Sequence, residues 1–377
     1  MRAAKTRLAF PCALALTLGA CGNLDNVTDV HDLRVLAVKS EPAGFLVPLD
    51  DPSSLTNTAA TLTALVVDPQ RPSDILTLSG EACPDYIDTV TAASGMSSKL
   101  CPSRAVTDKY PAPLDTALAT TVLPPGTAVP INTSTIEYNP KIVFGLTPDQ
   151  LGLFFAPPKA DGSGPTGDPT IDQAIQYNRD FSFDAIVNLT FMIGPESASA
   201  LKRVVYWPLL PPDLVPPDTA CTGVQIPNKN PELDGVGFFR HRVNGIPMDE
   251  VGDPYVPTLS ISTDTLFVQP TVNDFTAESY LLRVKNADTG TVETQCRKEL
   301  LTYQFFATVG TFSPAERTSE LSPVLTTPDN GHIPIDAQWN MPKADQIPAD
   351  GMVTIWVVAR DERAGAAWFS RSLVLTP

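Results

Sequence analysis

Two sets of residues have types and spacings that could do chemistry: the cysteines Cys83, Cys101, Cys221 and Cys296, and the loop carboxylates Asp161, Asp168 and Asp172. In an exported protein an even set of thiols oxidises to disulfides, and four cysteines leave more than one pairing open. Cys83–Cys101 with Cys221–Cys296 is the expected pairing, because each bridge then stays within one of two domains. Zinc is the competing use, but no Cys-x-x-Cys occurs and the three histidines are far apart in sequence. The three aspartates, with Ser163 and main-chain carbonyls, offer the oxygen-rich flexible loop that calcium favours, without the spacing of an EF-hand. Asp249, Glu250 and Asp253 form a second acidic run. Gly162-Ser163-Gly164-Pro165-Thr166-Gly167 matches a dinucleotide-binding string, but it follows Pro157-Pro158 rather than a strand, and Pro165 lacks an N–H; it reads as a flexible loop. His31, His241 and His332 are the only side chains with an ordinary pKa near neutrality, and none lies in a recognisable catalytic constellation. No GxSxG elbow, HExxH or GxxxxGK string is present, so no catalytic residue is assigned and a non-enzymatic role is expected. No cofactor is expected beyond calcium on the aspartate loop.

The chain starts with a basic segment, Arg2, Lys5 and Arg7, followed by an uncharged, mostly apolar run from Leu8 to Ala20 that is too short for a transmembrane helix. It ends in Leu18-Gly19-Ala20-Cys21, which resembles the lipobox of bacterial lipoproteins. The resemblance implies a signal peptide over 1–20, cleavage before Cys21 and lipid on its sulfur. Gly22, in place of an aspartate, implies by the same likeness an outer-membrane destination. Residues 21–32 would be the lipidated tether, polar and able to reach roughly 40 Å at full extension.

Composition sets the frame. Of 377 residues, 43% are apolar and 18% charged, which is enough for two buried cores. The 38 prolines exclude a large helical bundle and favour short strands joined by turns. The formal charge of −16 becomes −19 once Arg2, Lys5 and Arg7 leave with the signal, a surface that repels phosphate backbones, so nucleic acid is not an expected partner.

The elements that must position these residues are mostly strands. Leu33–Lys39 and Ala60–Val67 are aliphatic runs closed by Glu41-Pro42 and Asp68-Pro69; Ile142–Leu146 and Leu151–Phe155 read as further short strands. Asp168-Pro169 offers a cap and a first-turn proline for one short helix, Pro169–Tyr177. Phe183–Phe191 aligns with Ala349–Val357 at an offset of 166, and Asp184/Asp350, Val187/Val353, Glu196/Glu362, Ala198/Ala364 and Ala200/Ala366 are identical. This predicts one terminal hairpin used twice. The double prolines 211-212 and 216-217 mark a stiff junction. The division is therefore a first domain over 33–210 with long loop insertions, a Pro-rich junction over 211–222 and a second domain over 223–377. Trp356, Trp368, Phe305 and Phe306 read as core, and Trp207 and Trp339, near loops, as more exposed.

Leu301–Phe312, the hairpin Val353–Leu375 and the opening Asn228-Lys229-Asn230-Pro231 resemble bacterial immunoglobulin-like modules, including polycystic-kidney-disease-type repeats; the Cys-Trp-Cys spacing of antibody domains is missing. The resemblance implies an all-β chain of two tandem immunoglobulin-like β-sandwiches. The expected role is a lipid-anchored envelope scaffold or binding module, with the membrane and an envelope protein or polysaccharide as partners. The alternatives are a carboxylate-dependent hydrolase of envelope or extracellular polymers and a calcium-dependent adhesin.

Overall fold

The computed structural model describes residues 28–70, 74–84, 131–132, 136–215, 221, 225–243, 246–251, 256–261, 265–271, 277–319 and 335–377, with the backbone alone at 83–84, 131–132, 242–243 and 246–249. In chain order the strands of the first half are β1 (Arg34–Glu41), β2 (Gly44–Pro48), β3 (Ala59–Val67), β4 (Thr77–Pro84), β5 (Ile131–Asn132), β6 (Glu137–Tyr138), β7 (Lys141–Gly145), β8 (Phe183–Ile193) and β9 (Glu196–Leu209), with α1 (Pro148–Phe154) and α2 (Pro169–Asp180) between β7 and β8. The second half holds β10 (Gly235–Val243), β11 (Ile246–Glu250), β12 (Thr258–Ser260), β13 (Leu266–Thr271), β14 (Ser279–Lys285), β15 (Val292–Lys298), β16 (Thr302–Ala307), β17 (Thr311–Ser313), β18 (Glu316–Thr318), β19 (Ala337–Asn340), β20 (Met352–Arg360) and β21 (Ala366–Thr376). The architecture is all-β sandwich, as the proline frequency and strand patterning predict.

Strand pairing builds four large sheets. β1-β3-β6-β5, with β7 also on β3, faces β2-β9-β8-β4. Alternate residues from the two sheets interdigitate: Leu62, Ala64 and Val66 of β3 meet Val187, Leu189 and Phe191 of β8 and Val204 and Tyr206 of β9 in one core. The other two sheets are β11-β10-β13-β19-β17 and β12-β21-β20-β16-β18. Their core holds Phe238, Val268 and Trp339 from one side and Phe305, Val353, Ile355 and Val357 from the other.

A third apolar layer joins the two sandwiches. β3 and β20 are buried on both faces: Leu65 and Val67 point away from the first core, and Trp356 and Val358 away from the second. With Leu36, Ala37, Val30 and Phe306 they form one cluster, so the β1-β3 sheet packs face to face on the β20-β16 sheet. The result is four stacked sheets with three apolar layers between them. Such a strand must read as a near-continuous apolar run, and Val353–Ala359, Val-Thr-Ile-Trp-Val-Val-Ala, does.

Several local expectations change. Leu151–Phe155 is not a strand; it lies on α1, whose start carries a capping box in which Thr147 Oγ1 accepts from Gln150 N (3.2 Å) and Gln150 Oε1 from Thr147 N (2.7 Å). The apolar run in isolation resembles a strand because one short helical face and one short strand look alike. The predicted helix is present and longer, α2 reaching Asp180. The repeated hairpin holds for its outgoing strand only. Gly194-Pro195 is the whole turn of the first hairpin, whereas Asp361–Gly365 separates β20 from β21. Val187 therefore pairs with Lys202, but Val353 with Leu373, five positions beyond what the offset implies. Glu362 and Ala364 sit in the longer loop, while Glu196 and Ala198 sit in a strand, so those identities are not equivalent positions. Trp339, read as exposed, is fully buried and donates Nε1–H to Val309 O (3.1 Å).

Candidate functional site

Among the described residues, a dense group of charged side chains out of water lies where the extra loop Asp361–Gly365 enters the seam. Arg363 is buried between Glu299, whose Oε1 takes its Nε–H at 2.5 Å, and Glu278, whose Oε2 takes an Nη2–H at 2.6 Å. Its guanidinium lies 4.7 Å from the centre of the Tyr280 ring, and the Tyr280 hydroxyl donates to Glu362 (2.9 Å). Asp361 shapes the loop by accepting from Arg363 N (2.9 Å), Gly365 N (2.6 Å) and Asn228 Nδ2 (3.2 Å). The other sandwich answers: Lys202 of β9 donates its Nζ to Ala364 O, and Asn230 spans the seam, donating to Ser40 O (2.8 Å) and accepting from Ala366 N (3.0 Å). Arg360 donates to Leu36 O and to Gln304, and Trp356 Nε1 donates to Glu137 Oε1 (2.8 Å).

Removal from water sets the titration of these groups. Desolvation, against the opposing Arg363 charge, pushes Glu299 up to about 7, and it raises Asp361 above the usual carboxylate range. Desolvation likewise lowers Lys202 to about 8 and lifts Tyr280 to about 12, the latter with help from the Glu362 hydrogen bond and charge. A buried pair of this kind contributes little net stability when whole but is costly to break, so its effect is to fix how the Asp361–Gly365 loop sits on the β14–β15 ribbon.

Two further ties cross the same region. Cys221 and Cys296 are bonded, with Cα atoms 5.8 Å apart, as expected; closing a loop of that 75-residue separation stabilises by about 4 kcal/mol on the chain-entropy estimate. Arg283 of β14 pairs with Asp180 at the end of α2 (3.3 Å). Beside Arg363, Leu46, Trp207, Gln225, Tyr280 and Leu281 line a hollow with space for about one water molecule, too small to seat a sugar or a peptide.

The chain leading into β1 is built into the same seam. The expectation of a solvated tether extends to residues 28–32, yet Thr28 and Val30 are buried. Val30 N donates to Ala307 O (2.8 Å), Ala307 N to Thr28 O (2.9 Å) and Phe312 N to Thr28 Oγ1 (3.2 Å). The segment thus lies against the second sandwich before it starts the first. His31 pairs with Asp29 (2.9 Å) on the exposed side.

In the aspartate loop each carboxylate accepts main-chain hydrogen bonds from its own surroundings. Asp168 caps α2, accepting from Thr170 N (2.9 Å) and Ile171 N (3.3 Å). Asp172 accepts from Thr166 N (2.9 Å), Thr166 Oγ1 (2.7 Å) and Gly167 N (3.0 Å), and Asp161 from Ser163 N (2.9 Å). The carboxylates close the Gly162–Gly167 loop on itself, with Gly162 and Gly167 at positive φ. Among the described residues, no three metal-ligating side chains are grouped. Cys21, Cys101, Asp253 and His332 lie outside the described residues, as do the side chains of Cys83 and Asp249, so the Cys83–Cys101 bridge does too. His241 and Glu250 are exposed on β10 and β11. Sequence reasoning missed Arg363, Glu299, Glu278 and Lys202; the one available signal was an Asp-Glu-Arg-Ala-Gly turn longer than its presumed counterpart.

No family model matches the chain and no curated protein matches it. Among solved structures it is similar to dimeric latent PorU from Porphyromonas gingivalis (10% identity, covering 92% of this chain and 24% of that one, TM-score 0.18). It is also similar to the periplasmic chaperone SfaE (9%, 90% and 99%, TM-score 0.24) and to a 1.5-MDa bacterial ice-binding adhesin (9%, 92% and 66%, TM-score 0.18). The chain spans about a quarter of the length of that PorU chain. Overlays at these TM-scores carry no argument, and the β-sandwich architecture rests on the strand pairing itself.

Proposed function

We propose that the chain is a lipid-anchored envelope protein whose two immunoglobulin-like sandwiches act as one non-enzymatic scaffold or binding module, presenting loops and strand edges to an envelope protein or polysaccharide. The observation that carries this reading is the docking of Thr28–Val30 into the seam. A lipid on Cys21 would be joined to that docked segment by so few residues that the body would stand within about 25 Å of the membrane. The seam would then pass any load to both sandwiches together. In this reading only six residues, 22–27, separate the lipidated cysteine from the docked segment, which makes the module a close-held platform rather than one on a stalk.

Labelling cells with a palmitate analogue, in wild type and Cys21→Ala, tests the anchor: label on the wild type alone is expected, and equal labelling contradicts it. Crosslinking in intact cells with subsequent affinity capture tests the binding role. A specific envelope partner captured by the wild type is expected, and turnover of an envelope polymer by the purified chain would contradict the non-enzymatic reading.

A further inference from the structure

Free strand edges template further pairing, and proteins blunt them with short strands, prolines or covering side chains. Here β12, β17 and β18 are three residues each, β2 and β4 end in Pro48 and Pro84, and β11 contains Pro247. The outer edge of β1 is covered, Arg360 donating to Leu36 O and Asn230 to Ser40 O. β15 carries the charges Glu293, Arg297 and Lys298 but has neither a proline nor, among the described residues, a side chain bonded across its outer edge. It is Val-Glu-Thr-Gln-Cys-Arg-Lys, seven residues without proline or glycine, and among the described strands it pairs with β14 alone.

The pairing pattern shows which groups face outward. Glu299 N donates to Glu278 O (2.9 Å) and Asn286 N to Thr291 O (2.8 Å), both in the unbroken β14–β15 register. Hydrogen-bonded and non-hydrogen-bonded positions alternate in an antiparallel pair. Glu293, Gln295 and Arg297 therefore turn their main-chain groups to β14, while Val292, Thr294, Cys296 and Lys298 present theirs to the side on which no described strand pairs.

We propose that two copies of this chain pair through β15, edge to edge and antiparallel, about a two-fold axis at Gln295. Thr294 then meets Cys296 of the second copy, and Val292 meets Lys298, as hydrogen-bonded pairs built from the outward groups. Glu293 and Arg297, both exposed, oppose each other across the axis in non-hydrogen-bonded positions, where side chains approach most closely. Read backwards, the charge row Glu-Gln-Arg complements itself, which is what an isologous contact requires. Within one strand the two side chains are about 13 Å apart and cannot pair with each other. Asn286 Nδ2 donates to Glu293 (2.9 Å) and fixes the carboxylate without neutralising it. The two β14–β15 ribbons would merge into one four-stranded sheet.

Sedimentation equilibrium of the full chain in density-matched detergent tests this. A reversible monomer–dimer equilibrium, weakened by salt, is expected. E293R or R297E alone sets like charges opposite each other twice and should raise the dimer Kd about tenfold. Mixing E293R with R297E should restore pairing as a heterodimer, and E293R/R297E in one chain should restore the homodimer. T294P removes an outward N–H while leaving the β14 register untouched, and should also weaken the dimer. A wild-type chain that stays monomeric at all concentrations overturns the proposal. So does a dimer indifferent to the single reversals, or one that neither the mixture nor the double variant restores.

Discussion

The two terminal hairpins, β8–β9 and β20–β21, are alike in sequence over their outgoing strands and differ in their turns. The first turns in two residues, Gly194-Pro195, and its exposed tip carries Met192 and Ser197 at the surface. The second takes five residues, Asp361–Gly365, and this loop puts Arg363 between Glu278 and Glu299 and offers Ala364 O to Lys202. One hairpin closes a sandwich; the other closes a sandwich and grips its neighbour. The outgoing strands differ in the same way. In β8, Asn188, Thr190 and Met192 alternate with the core residues and lie towards solvent, while in β20 the alternate positions Thr354, Trp356 and Val358 are buried, Trp356 and Val358 of them in the seam cluster. A few residues added to a turn, together with apolar residues on the second face, thus convert a repeated hairpin from a surface element into a joint.

The largest test of that contrast is Trp356→Ala. It removes a fully buried indole from the seam and takes the indole donor from Glu137 Oε1, and should cost about 3–5 kcal/mol in urea unfolding. A cost below about 1 kcal/mol would mean the seam layer is not packed as described. Next, Arg363→Met keeps apolar volume but takes the counter-charge from buried Glu299 and one of two from Glu278, which retains Lys229, and should cost about 3 kcal/mol. Equal stability to wild type would remove the loop from the joint.

Glu299 sharpens the comparison through pH. Its folded-state pKa lies above its ordinary value, at about 7, so its contribution to stability is complete below the ordinary value and is lost as pH rises through 7. Glu299→Gln should therefore flatten the fall in Tm between about pH 5 and 7.5 relative to wild type; parallel Tm curves would contradict the assignment. The smallest effect is expected at the other hairpin, where Ser197→Ala, exposed beside the two-residue turn, should change stability by no more than about 0.5 kcal/mol.

These residues also show what the sequence could reveal. Strands β1 and β3 and helix α2 were readable because their signals are local: aliphatic runs closed by Glu41-Pro42 and Asp68-Pro69, and a cap at Asp168 with Pro169 next to it. The capping box Thr147–Gln150 is equally local, but the apolar run Leu151–Phe155 on its own reads as a strand. The clamp was not readable. Lys202 and Ala364 are 162 residues apart, and Arg363 and Glu299 are 64 apart, and neither spacing has a periodic signature. Trp356 was legible as buried, but whether it faced its own core or a neighbouring sheet depends on which second sheet packs against β20. Asp161, Asp168 and Asp172 had the composition of a cation loop, and each carboxylate accepts main-chain N–H groups of that loop or of the first turn of α2, a use that composition does not reveal.

The central claim is that the seam makes two sandwiches one cooperative body. Scanning calorimetry of the full chain measures it directly. One transition is predicted, with calorimetric and van't Hoff enthalpies in agreement. Two resolved transitions, each with the enthalpy of a single sandwich, would contradict it.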